Sequence, residues 1–193
     1  PQLFLAVDGD RVVTRPIKGT RPADRPAEEL TSSDKDLAEL NMIVDLMRND
    51  LGRVCDYGSV SVAEARRIET HPTVHHATAT IEGRLHPDRD VVDLLAATLP
   101  GGSVTGAPKV RAMQIIDEME PVARGPYCGC IGYLSADRLR LSIAIRTLLM
   151  EGSQVSFSVG AGIVADSDPE AEYAETLDKA AALLQALGAA RPD

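Results

Sequence analysis

The side chains of this sequence that could do chemistry occur in a few short segments. Lys18 stands in the pentapeptide Pro-Ile-Lys-Gly-Thr, after two runs of extended character. A lysine amine acts as a nucleophile only when it is neutral, which requires burial or nearby positive charge. A surface lysine would explain the same pentapeptide, so this segment alone leaves both interpretations open.

Two predicted helices carry acidic side chains at helical spacing. Glu172, Glu175 and Lys179 follow one another at i, i+3 and i+7, so they project from one helix face. Asp36 and Glu39 are three residues apart on an earlier helix. Each set is consistent with a solvated face, but two facing pairs would suit Mg²⁺, which binds through one or two carboxylates. The sequence alone does not bring the two helices together.

An arginine and two glycines could bind an anion. Arg146 follows an apolar run within a strand predicted over residues 139–149, where a charge needs a salt-bridge partner or a substrate carboxylate. Gly160 and Gly162 follow the next predicted strand. Residues without side chains let backbone N–H groups approach an anion closely.

Three of the four histidines lie close together in the sequence, namely His71, His75 and His76. Adjacent His75 and His76 point to opposite faces of an extended segment, so at most one of them faces a pocket and a zinc site is not predicted. Each is by default structural or exposed, and the alternative is a general acid or base.

Helices and strands occur in blocks, which predicts an α+β fold of antiparallel sheets covered by helices. An Asp-Gly turn predicts a hairpin between residues 3–7 and 11–15, with Lys18 in the loop that follows. Apolar spacing and caps predict helices over residues 33–50, 90–98, 107–119 and 168–187. Strands are predicted over residues 60–68, 73–82, 128–135, 139–149 and 154–158, the last three as an antiparallel meander.

Composition limits the classes of partner. The 193 residues predict a single domain over 1–193, and a net charge of -9 argues against nucleic acid and anionic membranes as partners. No run reaches the roughly 18 apolar residues of a membrane helix, and three cysteines without metal-site spacing favour reduced thiols. We therefore expect a soluble, cytoplasmic protein. The chain opens directly in a strand, so we expect the N-terminal part of the fold to be missing.

Six motifs together resemble the chorismate-binding family, which includes large components of anthranilate and aminodeoxychorismate synthases, and isochorismate and salicylate synthases. The motifs cover nearly the whole chain and lie at residues 16–21 (Pro-Ile-Lys-Gly-Thr-Arg), 42–53, 106–109 (Gly-Ala-Pro-Lys), 125–127 (Gly-Pro-Tyr), 143–147 and 160–170. The resemblance implies the family's α+β sandwich and chorismate as substrate.

The resemblance also implies a role for each matching residue. Magnesium, bound to Glu39 and Glu175 with Asp36 and Glu172 beside them, would hold the ring carboxylate of chorismate. Positions matching the rest of the family's pocket are Arg146, Tyr127 and Gly160 for the enolpyruvyl carboxylate, Gly19, Thr20, Gly162 and Lys179 around the ring carboxylate, Thr105 in the wall, and His76 as the active-site histidine.

Lys18 occupies the position that separates branches of the family. Anthranilate synthases resemble Pro-Ile-Ala-Gly-Thr, whereas aminodeoxychorismate synthases carry a lysine there. The implied reaction is Mg²⁺-dependent amination of chorismate at C4, through a covalent Lys18 adduct, to 4-amino-4-deoxychorismate for 4-aminobenzoate and folate synthesis. Ammonia would come from a separate glutamine amidotransferase subunit.

Two departures from the family pattern keep alternatives open. Family members begin well before this Pro1, so a missing N-terminal segment would complete the pocket. Relatives carry a glutamate, thought to act as a general acid, where this chain has Gln2. The alternatives are an anthranilate synthase-like or other chorismate-converting enzyme, and a noncatalytic fragment that binds a partner subunit.

Overall fold

The computed structural model describes residues 2–72, 74–165 and 167–190 and has the predicted α+β architecture. Its strands are β1 Leu3–Asp8, β2 Arg11–Thr14, β3 Ile17–Pro22, β4 Ser61–Thr70, β5 Val74–Arg84, β6 Cys130–Leu134, β7 Arg138–Ile143, β8 Leu149–Glu151 and β9 Gln154–Ser156. Its α-helices are α1 Glu28–Thr31, α2 Asp34–Gly52, α3 Val91–Thr98, α4 Lys109–Met119 and α5 Pro169–Ala186, and one 3₁₀ turn covers Gly102–Val104. Within these ranges, no helix combines the length and apolar character that a membrane crossing needs.

Seven of the strands form one antiparallel sheet in the order β3, β5, β2, β1, β7, β6, with β4 paired to β5. β2 and β3 pair with successive parts of one side of β5, and β4 pairs with β5 along much of the length of β5. β8 and β9 form a separate two-stranded sheet. This arrangement places the strand that carries Lys18 directly beside the strand that carries His76.

The core lies between the large sheet and α2. Apolar residues at helical spacing form the buried stripe of α2, which packs against buried side chains of β1, β2, β5, β7 and α3. The stripe consists of Leu40, Ile43, Val44, Met47 and Leu51. Packing of this stripe fixes the helix, and with it the predicted site residues Asp36 and Glu39.

Local sequence signals account for several element boundaries. Gly9 has a φ of 60° in the turn between β1 and β2, as the predicted Asp-Gly hairpin requires. Ser33 accepts a hydrogen bond from the Asp36 N–H at the start of α2, and Asp168 accepts one from Ala171 at the start of α5. The predicted hairpin and the predicted starts of these two helices are confirmed.

Two predictions about strands are wrong. Lys18 lies in β3 rather than in a loop, because residues 17–22 pair with β5. The strand predicted over residues 139–149 ends at Ile143 and resumes at Leu149. The break follows from a tight turn, in which the Ile145 N–H donates to the Ile143 carbonyl at 3.0 Å. The third strand of the predicted meander therefore belongs to the small sheet.

Candidate active site

Lys18 lies between α2 and the glycine segment 160–162. Its Nζ is 3.6 Å from Oε2 of Glu39, and the two side chains are 21% and 22% exposed. A β-carbon added at Gly162 would lie 3.6 Å from the same Nζ. The structure therefore brings together a lysine, a carboxylate and a glycine that are far apart in the sequence.

The shape of β3 beside Lys18 depends on Gly19. The register between β3 and β5 shifts between Ile17 and Thr20, and Gly19 has a φ of 86°, which favours glycine. A β-carbon at this position would lie 3.0 Å from Cγ of Asp36 and 3.0 Å from Cδ2 of Leu30. The glycine thus permits both the irregular strand and the close approach of α2.

The two adjacent histidines have different partners. His75 is buried and donates from Nε2 to the Arg25 carbonyl at 3.1 Å, while its Nδ1 shares a hydrogen bond of 3.0 Å with the Thr70 hydroxyl. Because both ring nitrogens are engaged, His75 has a structural role. His76 instead shares a hydrogen bond of 2.9 Å with the Thr20 hydroxyl.

His76, the histidine that the motifs assign to the candidate site, is partly buried. Burial lowers its pKa, and the charge of Arg146 lowers the pKa further. The imidazole is therefore neutral at neutral pH, the form that can accept a proton.

Arg146 occupies the turn that interrupts the predicted strand. It has a φ of 51° and is exposed, so the expectation of an arginine on a continuous strand face is wrong. A positive φ at a residue other than glycine stores strain and occurs preferentially at functional sites. The turn changes the backbone around Arg146 but leaves it among the candidate binding residues.

A third group of predicted residues meets at Gly160. A β-carbon added there would lie 3.0 Å from Oη of Tyr127, and Nζ of Lys179 donates to the Gly160 carbonyl at 3.1 Å. Lys179 also pairs with Glu175 at 2.6 Å. Burial raises the pKa of Tyr127 to about 12, so its phenol stays protonated and can donate a hydrogen bond.

The four candidate metal ligands have partners of their own. Asp36 pairs with Arg21 at 2.8 Å, and Glu172, which is buried, accepts a hydrogen bond of 2.6 Å from the Ser167 hydroxyl. Glu39 and Glu175 pair with Lys18 and Lys179. Among the described residues, no three His, Cys, Asp or Glu side chains stand close enough together to hold an ion. Their carboxylate oxygens are nevertheless the donors that Mg²⁺ prefers, and one or two of them suffice.

Thr105 lies in a segment that α2, α3 and α4 hold in place. Its hydroxyl donates to the Gly101 carbonyl at 3.0 Å, and no hydrogen bond joins it to the other predicted site residues within the described ranges. Lys109 anchors the end of this segment by donating to Asp50 at 2.5 Å and to the Thr98 carbonyl at 3.0 Å.

The sequence-based account of the site missed the Asp50–Lys109 pair. Asp50 is 2% exposed, and burial raises the pKa of its carboxyl group despite the nearby lysine. A signal for this pair exists in the sequence, because Asp50 falls three residues after Met47 on the apolar stripe of α2. A charge at such a position requires a buried partner.

Comparison with known proteins identifies the family of this chain. The family model for chorismate binding enzymes matches residues 1–185. Aminodeoxychorismate synthase component 1 of Salmonella typhimurium is 52% identical, with 97% of this chain and 43% of that protein covered. A protein named anthranilate synthase component 1 3, from Haloarcula marismortui, is 51% identical over 97% of this chain and 39% of its own length.

A solved structure gives the same result for the fold. Anthranilate synthase component I from Streptococcus pneumoniae superimposes with a TM-score of 0.81 at 42% identity, with 93% of this chain and 41% of that chain covered. The chain spans about two fifths of the length of the curated relatives described above. The similarity therefore extends over nearly all of this chain and over less than half of each relative.

Proposed function

This chain belongs to the chorismate binding enzyme family, and from that premise we propose that it is the part of an aminodeoxychorismate synthase that aminates chorismate at C4. The observation that supports this reaction over others in the family is Lys18. Its amine lies between the carboxylate of Glu39, a proposed metal ligand, and the glycine segment 160–162.

In the proposed first step, Nζ of Lys18 forms a bond to C2 of chorismate. The two ring double bonds shift, the C4–O bond breaks, and the hydroxyl group leaves as water with a proton from the amine. In the second step ammonia attacks C4, the double bonds shift back, and the C2–N bond breaks, which releases Lys18. The sum is chorismate plus ammonia giving 4-amino-4-deoxychorismate plus water. Covalent catalysis thus divides one difficult substitution into two easier ones.

The chain's own residues would bind the substrate and move protons. Arg146 and Tyr127 supply a cation and a protonated phenol for one carboxylate of chorismate, as their positions in the family motifs imply. Neutral His76 is available to accept a proton released in the site, because its pKa is lowered. Thr20, by its hydrogen bond, fixes the orientation of that imidazole.

Magnesium is part of the proposal. Glu39 and Glu175 would be its ligands, with Asp36 and Glu172 beside them. When bound, the ion would offset the charge of the ring carboxylate and orient the substrate. The Lys18–Glu39 and Lys179–Glu175 pairs mean that each of the two ligands has a lysine partner when no ion is present.

Product analysis with a lysine variant tests the proposal. Incubation of a longer chain that includes the N-terminal segment proposed below with chorismate, Mg²⁺ and ammonium should yield 4-amino-4-deoxychorismate, detected by liquid chromatography and mass spectrometry. Lys18→Ala should reduce its formation by roughly three orders of magnitude or more, as for loss of a covalent nucleophile. Lys35→Ala is the matched control, since Lys35 is an exposed lysine of α2.

Intact mass spectrometry without ammonia tests the covalent step directly. Chorismate should add to the protein, and peptide mapping should locate the adduct on Lys18. A stable adduct on a different residue, with Lys18 unmodified, would refute the mechanism while leaving chorismate as the substrate.

A second candidate is anthranilate synthesis. The identity of 51% to the Haloarcula marismortui protein named anthranilate synthase component 1 3 nearly equals the 52% to the Salmonella typhimurium protein. Overall identity therefore does not separate the two reactions, and the choice depends on Lys18. Anthranilate as the main product would select the second candidate.

The proposed ammonia source is a separate glutamine amidotransferase subunit, in keeping with the name "component 1" of the relatives. Because the chain covers about two fifths of those relatives, we also propose that an N-terminal segment completes the site. If a longer chain that includes this segment binds the amidotransferase but does not convert chorismate, the protein is a noncatalytic binding subunit.

A further inference from the structure

Arg124 connects two segments that carry predicted binding residues. It lies between α4 and β6, and its side chain is 25% exposed. Its Nη1 donates to the carbonyl of Val104 at 2.7 Å, directly before Thr105. The centre of its guanidinium group also lies 6.0 Å from the centre of the Tyr127 ring, within the range of a cation–π contact.

Glu120 fixes the guanidinium plane. Its two carboxylate oxygens accept hydrogen bonds of 2.8 and 2.6 Å from Nε and Nη2 of Arg124. A bidentate pair of this kind sets the orientation of the planar group as well as its position. The remaining nitrogen is then directed at Val104, and the planar face keeps its relation to Tyr127.

The two connected segments lie on either side of α4 in the sequence. Thr105 belongs to the segment between α3 and α4, where its hydroxyl donates to the Gly101 carbonyl. Tyr127 places its hydroxyl near Gly160, which also binds Lys179. No hydrogen bond within the described ranges joins Thr105 to Tyr127, so Arg124 supplies a link between them.

We infer that Arg124 is a positioning residue that holds Thr105 and Tyr127 at a fixed separation in the binding pocket. It acts through the Val104 carbonyl and the Tyr127 ring, without touching substrate itself. The geometric part of the inference concerns the chain alone. The consequence for chorismate rests on the proposed function.

Hydrogen–deuterium exchange of the chain without substrate tests the geometric part. The N–H groups of Val104, Thr105 and Tyr127 donate to backbone carbonyls at 3.1 to 3.3 Å. In Arg124→Met their exchange should accelerate by about tenfold, since a charged hydrogen bond and an aromatic contact are lost. Exchange in β4 and β5 should stay unchanged, which reports an intact fold.

The matched control is Arg111→Met. Arg111 is an arginine of α4 that pairs with Glu118 at 3.3 Å, and both side chains are more than half exposed. Its loss should leave exchange at Val104 and Tyr127 unchanged. Equal exchange in Arg124→Met and the parent chain, or equal acceleration in both variants, would overturn the inference.

Steady-state kinetics tests the consequence for substrate. Arg124→Met should raise KM for chorismate by about tenfold and change kcat by less than about threefold, because misplaced binding groups weaken substrate and transition state alike. A large fall in kcat with unchanged KM contradicts the positioning role. If a longer chain that includes the proposed N-terminal segment does not convert chorismate, the proposed function fails, and the exchange experiment still decides the role of Arg124.

Two milder variants guard against misfolding. Arg124→Lys keeps a positive charge but loses the bidentate geometry, since an ammonium is a point charge. Glu120→Gln keeps the guanidinium but weakens the pair that orients it. Both should give exchange rates and KM values between those of the parent chain and Arg124→Met. If both variants give the same exchange rates and KM values as the parent chain, the orientation of the guanidinium plane has no role.

Discussion

Gly19→Ala is the substitution whose cost the structure defines most closely. At a φ of 86°, alanine incurs the penalty of left-handed backbone, about 1–2 kcal/mol. The new β-carbon would also lie 3.0 Å from Cγ of Asp36 and from Cδ2 of Leu30. Leu30 is fully buried, and Asp36 is held by Arg21 at 2.8 Å, so neither side chain can move away freely.

Crowding of this kind typically costs about 1–3 kcal/mol, so the total loss for Gly19→Ala is about 2–5 kcal/mol. Gly58→Ala separates the two contributions. Gly58 has a φ of 77°, and an added β-carbon would meet nothing within 4 Å. This control should therefore lose only the backbone part, about 1–2 kcal/mol.

Urea unfolding followed by far-ultraviolet circular dichroism measures both losses. The urea concentration at the midpoint of unfolding should fall further for Gly19→Ala than for Gly58→Ala. If the dependence of the free energy on urea concentration is similar in both variants, their free energies of unfolding can be compared directly. At about 2–4 °C per kcal/mol for a chain of this size, the two melting temperatures should differ by at least about 2 °C. Equal losses would show that α2 does not approach β3 as closely as described, which would refute the argument.

The remaining predictions concern three partly or fully buried ionisable groups, His76, Cys55 and Asp50. The pKa of His76 should lie below 6.5 in an NMR titration and should rise in Arg146→Gln; a pKa at or above 6.5 would contradict the burial. Between this lowered pKa and pH 6.5, the unfolded chain binds a proton at His76 that the folded chain does not. Lowering the pH from 6.5 towards the folded-state pKa should therefore reduce the free energy of unfolding. Cys55, whose pKa burial raises to about 11, should react with a thiol reagent at pH 8 much more slowly than it does in urea; equal rates would show that it is accessible. Lys109→Met should cost about 3–5 kcal/mol in urea unfolding, because it leaves Asp50 buried without its cation; a loss under about 1 kcal/mol would show that water reaches the carboxylate.

Features determined by neighbouring residues were predictable from the sequence. The turn at Gly9 and the caps at Ser33 and Asp168 depend on side chains within three residues of the backbone groups they serve. The apolar stripe of α2 likewise follows from helical spacing. These signals predicted which segments are helices and which are strands. Because the helices and strands occur in blocks along the chain, they also predicted the α+β class.

Features determined by pairing between distant segments were not predictable. Lys18 belongs to a strand because residues 17–22 pair with β5, more than 50 residues later in the sequence. Arg146 lies in a turn because the pairing of β6 with β7 ends at Cys130 and Ile143. The apolar residues before Arg146 suit a continuing strand, so their pattern contains no sign of the break.

The motifs indicated the candidate site residues, but the grouping of these residues comes from the fold. Lys18, Thr20 and His76 meet through the pairing of β3 with β5, whereas Tyr127, Gly160 and Lys179 meet through the C-terminal segments. Gly160 and Gly162 are two residues apart, and they approach Tyr127 and Lys18 respectively.

The glycine segment 160–162 is therefore where the two groups of residues adjoin. A side chain at residue 162 would occupy space beside the Lys18 amine, and one at residue 160 would crowd the Tyr127 hydroxyl. The absence of both side chains leaves room beside a candidate nucleophile and a candidate carboxylate-binding group at once. Under the proposed function, the ring of chorismate would lie beside Gly162 and one of its carboxylates beside Gly160, so that both groups would act on a single small substrate.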